Sequence, residues 1–154
     1  MNDLHDLGRR TAALDKVIEL SVLLNDDMDR DLARRNLTRS RVHVVWLISQ
    51  HGPMTQRDLA AVIGVSARNV TGLVDGLERT GFVRREPHPS DRRALLVTLT
   101  PHGEETAADL QRGYVELAGQ LFGSLPPRRL DELTKGLDHV LAELRRAIAE
   151  AESG

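Results

Sequence analysis

The stretch TQRDLAAVIGVSARNVTGLVDGLERTGFV, residues Thr55 to Val83, decides the fold. It carries two short apolar rhythms of helical period, Leu59, Ala60, Val62 and Ile63 in the first and Val70, Leu73, Val74 and Leu77 in the second. Each has its own start and stop signal. Thr55 is placed as an N-cap with Asp58 three residues on, a partial capping box, and Gly64 closes that helix. Ser66 is placed as a second N-cap, and the helix it opens runs to about Thr80, where Gly81 ends it. Two compact helices joined by a turn of about four residues are the result.

Working outward, RREPHPSDRRALLVTLT follows directly, residues Arg84 to Thr100. Phe82, Val83 and Arg84 read as a strand, and His88 to Arg93 as a polar loop containing Pro89. Leu95, Val97 and Leu99 alternate with Leu96, Thr98 and Thr100, which predicts a second strand and so a hairpin. Upstream, Val42, Val44, Val45, Leu47 and Ile48 give a helix from about Thr38. It is apolar on most sides, so burial is expected, and Gly52-Pro53 stops it. Before it, Leu14, Val17, Ile18, Leu20, Leu23, Leu24, Met28 and Leu32 lie on the stripe of a long first helix, roughly Leu4 to Arg34. Beyond the hairpin, Thr100-Pro101 restarts a helix, with Glu104 and Glu105 at its positive end, reaching about Phe122. Pro126 and Pro127 punctuate, and a last helix covers roughly Arg128 to Ala151. The fold class is mainly α with a small β-hairpin wing: a winged helix-turn-helix over residues 37–100, with 1–36 and 101–154 as a helical dimerisation region.

Composition agrees with packed helices. Of 154 residues, 40% are hydrophobic but only 3% aromatic, so the core is built of Leu, Val, Ile and Ala. The absence of cysteine excludes a disulfide framework, a thiolate zinc site, a catalytic cysteine and a thiol redox sensor. The polar start, Met1 to Arg10, lacks the apolar core of a signal peptide, and no apolar run approaches the roughly 20 residues needed to span a bilayer. A cytoplasmic protein without membrane contact is expected. Nothing resembles an enzyme's signature: there is no His-Glu-x-x-His, phosphate loop, nucleophile elbow or apolar carboxylate pair.

The charge distribution points to double-stranded DNA. The whole chain carries −2, yet from Pro53 to Thr100 seven arginines outnumber five acids. A locally basic face is enough to hold phosphates. The second helix of a helix-turn-helix enters the major groove by its N-terminal turns. Here those turns carry Ser66, Ala67, Arg68, Asn69, Thr71 and Gly72, and the apolar positions leave Arg68, Asn69 and Thr71 facing outward. Arginine grips guanine and asparagine grips adenine through paired hydrogen bonds. Gly72 permits close approach of the backbone. Gln56 and Arg57 sit where the first helix crosses the DNA backbone. The hairpin adds Arg84, Arg85, His88, Arg92 and Arg93, placed for the adjacent minor groove, with Asp91 as an internal brace for an arginine.

These residues resemble the MarR family of winged-helix regulators. The resemblance runs from Leu37-Thr38 through Gly52-Pro53-Met54-Thr55-Gln56, Asp58-Leu59-Ala60, Val65-Ser66, Val70-Thr71-Gly72-Leu73-Val74-Asp75, Leu77-Glu78 and Gly81-Phe82-Val83. It ends with Asp91-Arg92-Arg93, Val97-Thr98-Leu99-Thr100 and Gly103. That is about half the chain, and the Asp-Arg-Arg wing is its most specific part. The resemblance implies a homodimer paired through the first and last two helices, with Leu14, Ile18, Leu121, Leu130, Leu133, Leu137, Val140, Leu141 and Leu144 as candidate seam residues. It implies repression at a pseudo-palindromic operator with half-sites about 10 bp apart, and release by a small lipophilic anion. It makes Ser66, Arg68, Asn69 and Thr71 groove readers and Arg92 or Arg93 the wing finger. The chain departs from redox-sensing members, which use a cysteine near the first helix. It departs from urate-sensing members too, whose tryptophan lies in the first helix; here Trp46 is in the second. Zinc-sensing members place histidines on the fifth helix, where this chain has only His102, so neither metal nor cofactor is expected.

His43 has two readings, an effector-pocket imidazole or a hydrogen-bonded interior histidine. Trp46 is assigned to core packing, with the same pocket as its functional alternative. Two other functions compete with the DNA reading. A winged helix used for protein contacts would need an exposed apolar patch on the recognition helix, which Arg68 and Asn69 oppose. A regulator with no ligand control remains compatible with every residue.

Overall fold

The computed structural model describes residues 2–153, with side chains from His5 onward. The elements in order are α1 (Asn2–Arg34), α2 (Arg39–His51), β1 (Met54–Thr55), α3 (Gln56–Ile63), α4 (Ala67–Arg79), β2 (Val83–Pro87), β3 (Leu95–Leu99), α5 (Pro101–Phe122) and α6 (Pro127–Glu152). They form two compact units, Met1–Ala108 and Asp109–Gly154, so α5 starts in one and ends in the other. The first unit groups α1 with the winged helix-turn-helix, whereas the sequence reading joined residues 1–36 to 101–154. No helix among the described residues is long and apolar enough to cross a membrane.

Local chemistry sets the helix ends. Thr38, Thr55 and Ser66 hold extended backbone angles and accept the amides of Arg41, Asp58 and Asn69 through their hydroxyl oxygens. Asp58 completes its half of the capping box differently from expectation: its carboxylate accepts the Thr55 hydroxyl at 2.8 Å. α4 leaves through Gly81 at φ 82°, with Phe82 N–H donating to Leu77 and Gly81 N–H to Glu78. α1 ends the same way with Asn36 in glycine's place at φ 57°, bringing Leu37 back onto Leu32; both leucines are buried. Arg39 then ties α2 to α1, donating to both carboxylate oxygens of Asp29 at 2.6 and 2.7 Å. Those hydrogen bonds hold the Asp29 carboxyl below the usual carboxylate range.

The core of the first unit is where α2, α3, α4 and the sheet meet. Val44, Val45, Leu59, Val70, Val74, Leu77, Phe82, Val83 and Val97 are its fully buried members. α2 is less buried than its composition suggested. Val44, Val45, Leu47 and Ile48 face inward, but His43 and Trp46, three residues apart, share the outer face. Trp46 is 36% exposed, which corrects its assignment to the core.

The expected hairpin is part of a three-stranded antiparallel sheet in the order β1-β3-β2. β1 pairs Met54 with Val97 and Thr55 with Leu96; two residues are too few to show an alternation in sequence. β2 begins at Val83 and continues to Pro87, further than Arg84, because Phe82 still belongs to the α4 exit. Along β3, Val97 and Leu99 turn inward while Leu95 stays exposed.

In the second unit, Pro127 opens α6 at a position that needs no amide donor. α6 has no buried residue, although Leu133, Leu137, Val140, Leu141, Leu144 and Ile148 recur along it at helical spacing.

Thr100 caps α5, its hydroxyl oxygen accepting Gly103 N–H at 3.1 Å, while its hydroxyl donates to Gly81 O at 2.5 Å and its N–H to Phe82 O at 3.0 Å. That brings Gly103 so close that a Cβ there would collide with the Phe82 carbonyl. Gly103→Ala should therefore lower unfolding stability by about 1–3 kcal/mol, despite alanine's higher helix propensity. Urea unfolding followed by circular dichroism checks this; an unchanged or raised midpoint would contradict the close packing.

Candidate nucleic-acid interface

α4 separates its two faces sharply. Val70, Val74, Gly76 and Leu77 are buried and Leu73 is half-buried, while Ala67, Arg68, Asn69, Thr71 and Gly72 are exposed. The guanidinium of Arg41 lies over Gly76, and a side chain there would displace it. Ser66 acts first as the cap, its hydroxyl oxygen accepting Asn69 N–H at 3.2 Å. The side chains of Arg68 and Asn69 make no hydrogen bond or ion pair with another described residue, so their donors point to solvent. An N-terminal helical turn with free amides and a free guanidinium is suited to an anionic groove.

Arg85 organises the region behind that turn; the sequence placed it with the basic hairpin residues facing the minor groove, whereas its side chain is bonded inward. It sits on β2 with its side chain only 19% exposed. One terminal nitrogen donates to Asp75 at 2.5 Å and the other to Glu78, two carboxylates one turn apart on α4. Its Nε donates to Gln56 Oε1 at 3.0 Å, and Gln56 Nε2 donates in turn to Thr71 Oγ1 at 3.0 Å. One side chain thus links the wing strand, the start of α3 and the recognition helix. Gln56, expected at the DNA backbone, is half-buried and bonded inward.

The wing is a tight hairpin, with Val83 paired to Leu99 and Pro87 to Leu95. At its tip His88 Nδ1 accepts the amides of Ser90 and Asp91 at 3.2 and 3.1 Å, a task more usual for aspartate or asparagine. Asp91 does not hold an arginine side chain as expected: its carboxylate accepts Arg93 N–H at 2.9 Å, and no ion pair joins it to an arginine among the described residues. The backbone partner is favoured because it lies two residues away on the same turn. Arg92 and Arg93 are exposed, and no ion pair among the described residues engages either guanidinium. Arg84, by contrast, pairs with Glu86 at 2.5 Å. The acids of the basic segment are thereby largely absorbed by Arg84, Arg85, a cap hydroxyl and a turn amide, leaving Arg57, Arg68, Arg79, Arg92 and Arg93 as its outward cations.

Of the two effector candidates, His43 lines a cleft of about 460 Å³ with Ser40, Ile63, Val65, Arg68, Asn69, Gly72 and Leu73; Trp46 is not among its walls. The cleft lies wholly in the first unit, beside the N-terminal turns of α4. His43 is exposed, which corrects the interior reading of its ring. No group of three or more metal-ligating side chains occurs among the described residues.

Comparison with known proteins accords with this geometry. The family model described as MarR family matches residues 37–95, which contain α2 to α4 and most of the wing. The chain is similar to the uncharacterized HTH-type transcriptional regulator YfiV of Bacillus subtilis (strain 168), 31% identical over 116 residues, covering 75% of this chain and 72% of that protein. It is similar to the HTH-type transcriptional repressor YetL of the same organism, 25% identical over 130 residues, 83% of this chain and 78% of that one. Its fold matches that of S. aureus MepR in a complex with DNA, with a TM-score of 0.71 at 21% identity, over 82% of this chain and 95% of that one. With its helix-turn-helix and wing matched by the family model and more than two thirds of a curated regulator aligned to it, the chain belongs to the MarR family of winged-helix transcriptional regulators.

Proposed function

We propose that this protein is a sequence-specific DNA-binding repressor that acts as a homodimer on a pseudo-palindromic operator in the cytoplasm. The observation that carries the reading is the exposed set Arg68 and Asn69 on α4 with Arg92 and Arg93 on the wing, whose side chains have no partner among the described residues, in a segment whose acids are engaged internally. α4 reads base edges in the major groove, with Ser66, Ala67, Arg68, Asn69 and Thr71 as its contacting turn. Arg92 and Arg93 reach the adjacent minor groove. YetL is named a repressor and MepR has been captured with DNA, which supports the same role here.

Dimerisation follows from an unpartnered helix. A 26-residue α6 with six large apolar side chains in register and none buried exposes more apolar surface than a soluble monomer ordinarily keeps. α1 likewise exposes Leu7, Leu14, Val17 and Ile18. A second copy covers both faces under two-fold symmetry, giving residues 1–36 and 101–154 their dimerisation role. A small apolar anion is the effector that suits the His43 cleft, whose lining joins the apolar Ile63, Val65 and Leu73 to His43 and the cation Arg68. Occupied, it withdraws Arg68 and Asn69 from DNA.

Two measurements test this reading. In a fluorescence-anisotropy salt series on the DNA upstream of the protein's own gene, Arg68→Ala should weaken operator binding by about 1–3 kcal/mol and relax base preference at one position per half-site. Equal loss on operator and random DNA would reduce Arg68 to a phosphate contact. Deleting Arg128 onward should yield a monomer in sedimentation velocity with no tight operator binding. A truncated chain that still sediments as a dimer would remove α6 from the interface.

A further inference from the structure

The hydrogen-bond order around Thr71 is fixed by chemistry from one end to the other. Arg85 has donors only, so the Gln56 atom that meets its Nε at 3.0 Å is the amide oxygen. Rotation of that amide is blocked because the other two nitrogens of Arg85 are held by Asp75 and Glu78. Gln56 therefore presents its NH2 to Thr71, and the Thr71 oxygen must accept. The hydroxyl proton then goes elsewhere, to the Ala67 carbonyl at 2.9 Å. A hydroxyl has one proton and two lone pairs, so a single lone pair is left on an exposed side chain.

We propose that Arg85 and Gln56 make Thr71 an acceptor-only reader, selecting at one position of each half-site a base that offers an exocyclic amine, N6 of adenine or N4 of cytosine. This rests on the DNA-binding reading above and adds a sign to it. A free threonine hydroxyl bonds either a base donor or a base acceptor. The ordered one cannot donate to O6 of guanine or O4 of thymine without giving up the Ala67 carbonyl. Arg85 and Gln56 are positioning residues in this scheme, and neither needs to touch DNA.

Base analogues read the sign directly. In the operator, each adenine is replaced in turn by purine, which lacks the 6-amino group, and each cytosine by 2-pyrimidinone, which lacks the 4-amino group. Guanines are replaced by 2-aminopurine, which lacks O6. With wild-type protein, deleting one amine per half-site should weaken binding about tenfold, the size of one good base contact. With Thr71→Val, which keeps the shape and removes the hydroxyl, the same deletion should have no effect. Gln56→Met, which frees the hydroxyl to turn, should shrink that discrimination while far-UV circular dichroism stays native. Coupling of Thr71 to a guanine O6, or to no position, overturns the inference and leaves the DNA reading intact. Failure of the wild type to distinguish operator from random DNA overturns both.

Discussion

The guanidinium of Arg85 is the point at which the reading apparatus is held together. The wing follows the recognition helix closely in the chain, yet so small a sheet has little rigidity of its own. Arg85 fixes it with charge-assisted bonds to Asp75 and Glu78 and a bond to Gln56, in a half-buried setting where solvent screens less than at the surface. Without that cation two carboxylates would face each other across one turn of α4, close to where a DNA backbone is proposed to lie. The same contact that sets the geometry therefore also removes the local repulsion.

Charge economy runs through the rest of the interface. The protein is mildly acidic as a whole, so a DNA-binding face has to be made by arrangement. Glu86 is paired with Arg84, Asp58 with a hydroxyl and Asp91 with a backbone amide, and the segment's arginines without an ion pair among the described residues are outward-facing. Such a face gives binding that falls steeply with salt. In the proposed reading, specificity rests on the few α4 side chains with free donors and on the ordered hydroxyl of Thr71.

Elements governed by neighbours in sequence were legible in it. Thr55 and Ser66 cap their helices because capping acts within three residues, and Gly81 ends α4 because a left-handed residue is needed there. What failed depended on distant partners. β1 exists only because Val97 and Leu96 come back to it. Trp46 is apolar, but its place on α2 turns it outward. Gln56 looked like a surface contact until Arg85, 29 residues on, claimed its carbonyl. Asp91 was expected to hold an arginine side chain, yet its partner is a backbone amide, which no charge pattern reveals.

The most direct test of the whole account is a hydroxyl-radical footprint of the wild-type protein on the DNA upstream of its gene. Two protected half-sites about one helical turn apart are expected, each with an adjacent minor-groove segment that becomes accessible again when Arg92 and Arg93 are both replaced by alanine. Protection spread evenly along the DNA, or a minor-groove pattern indifferent to those two arginines, would contradict the account.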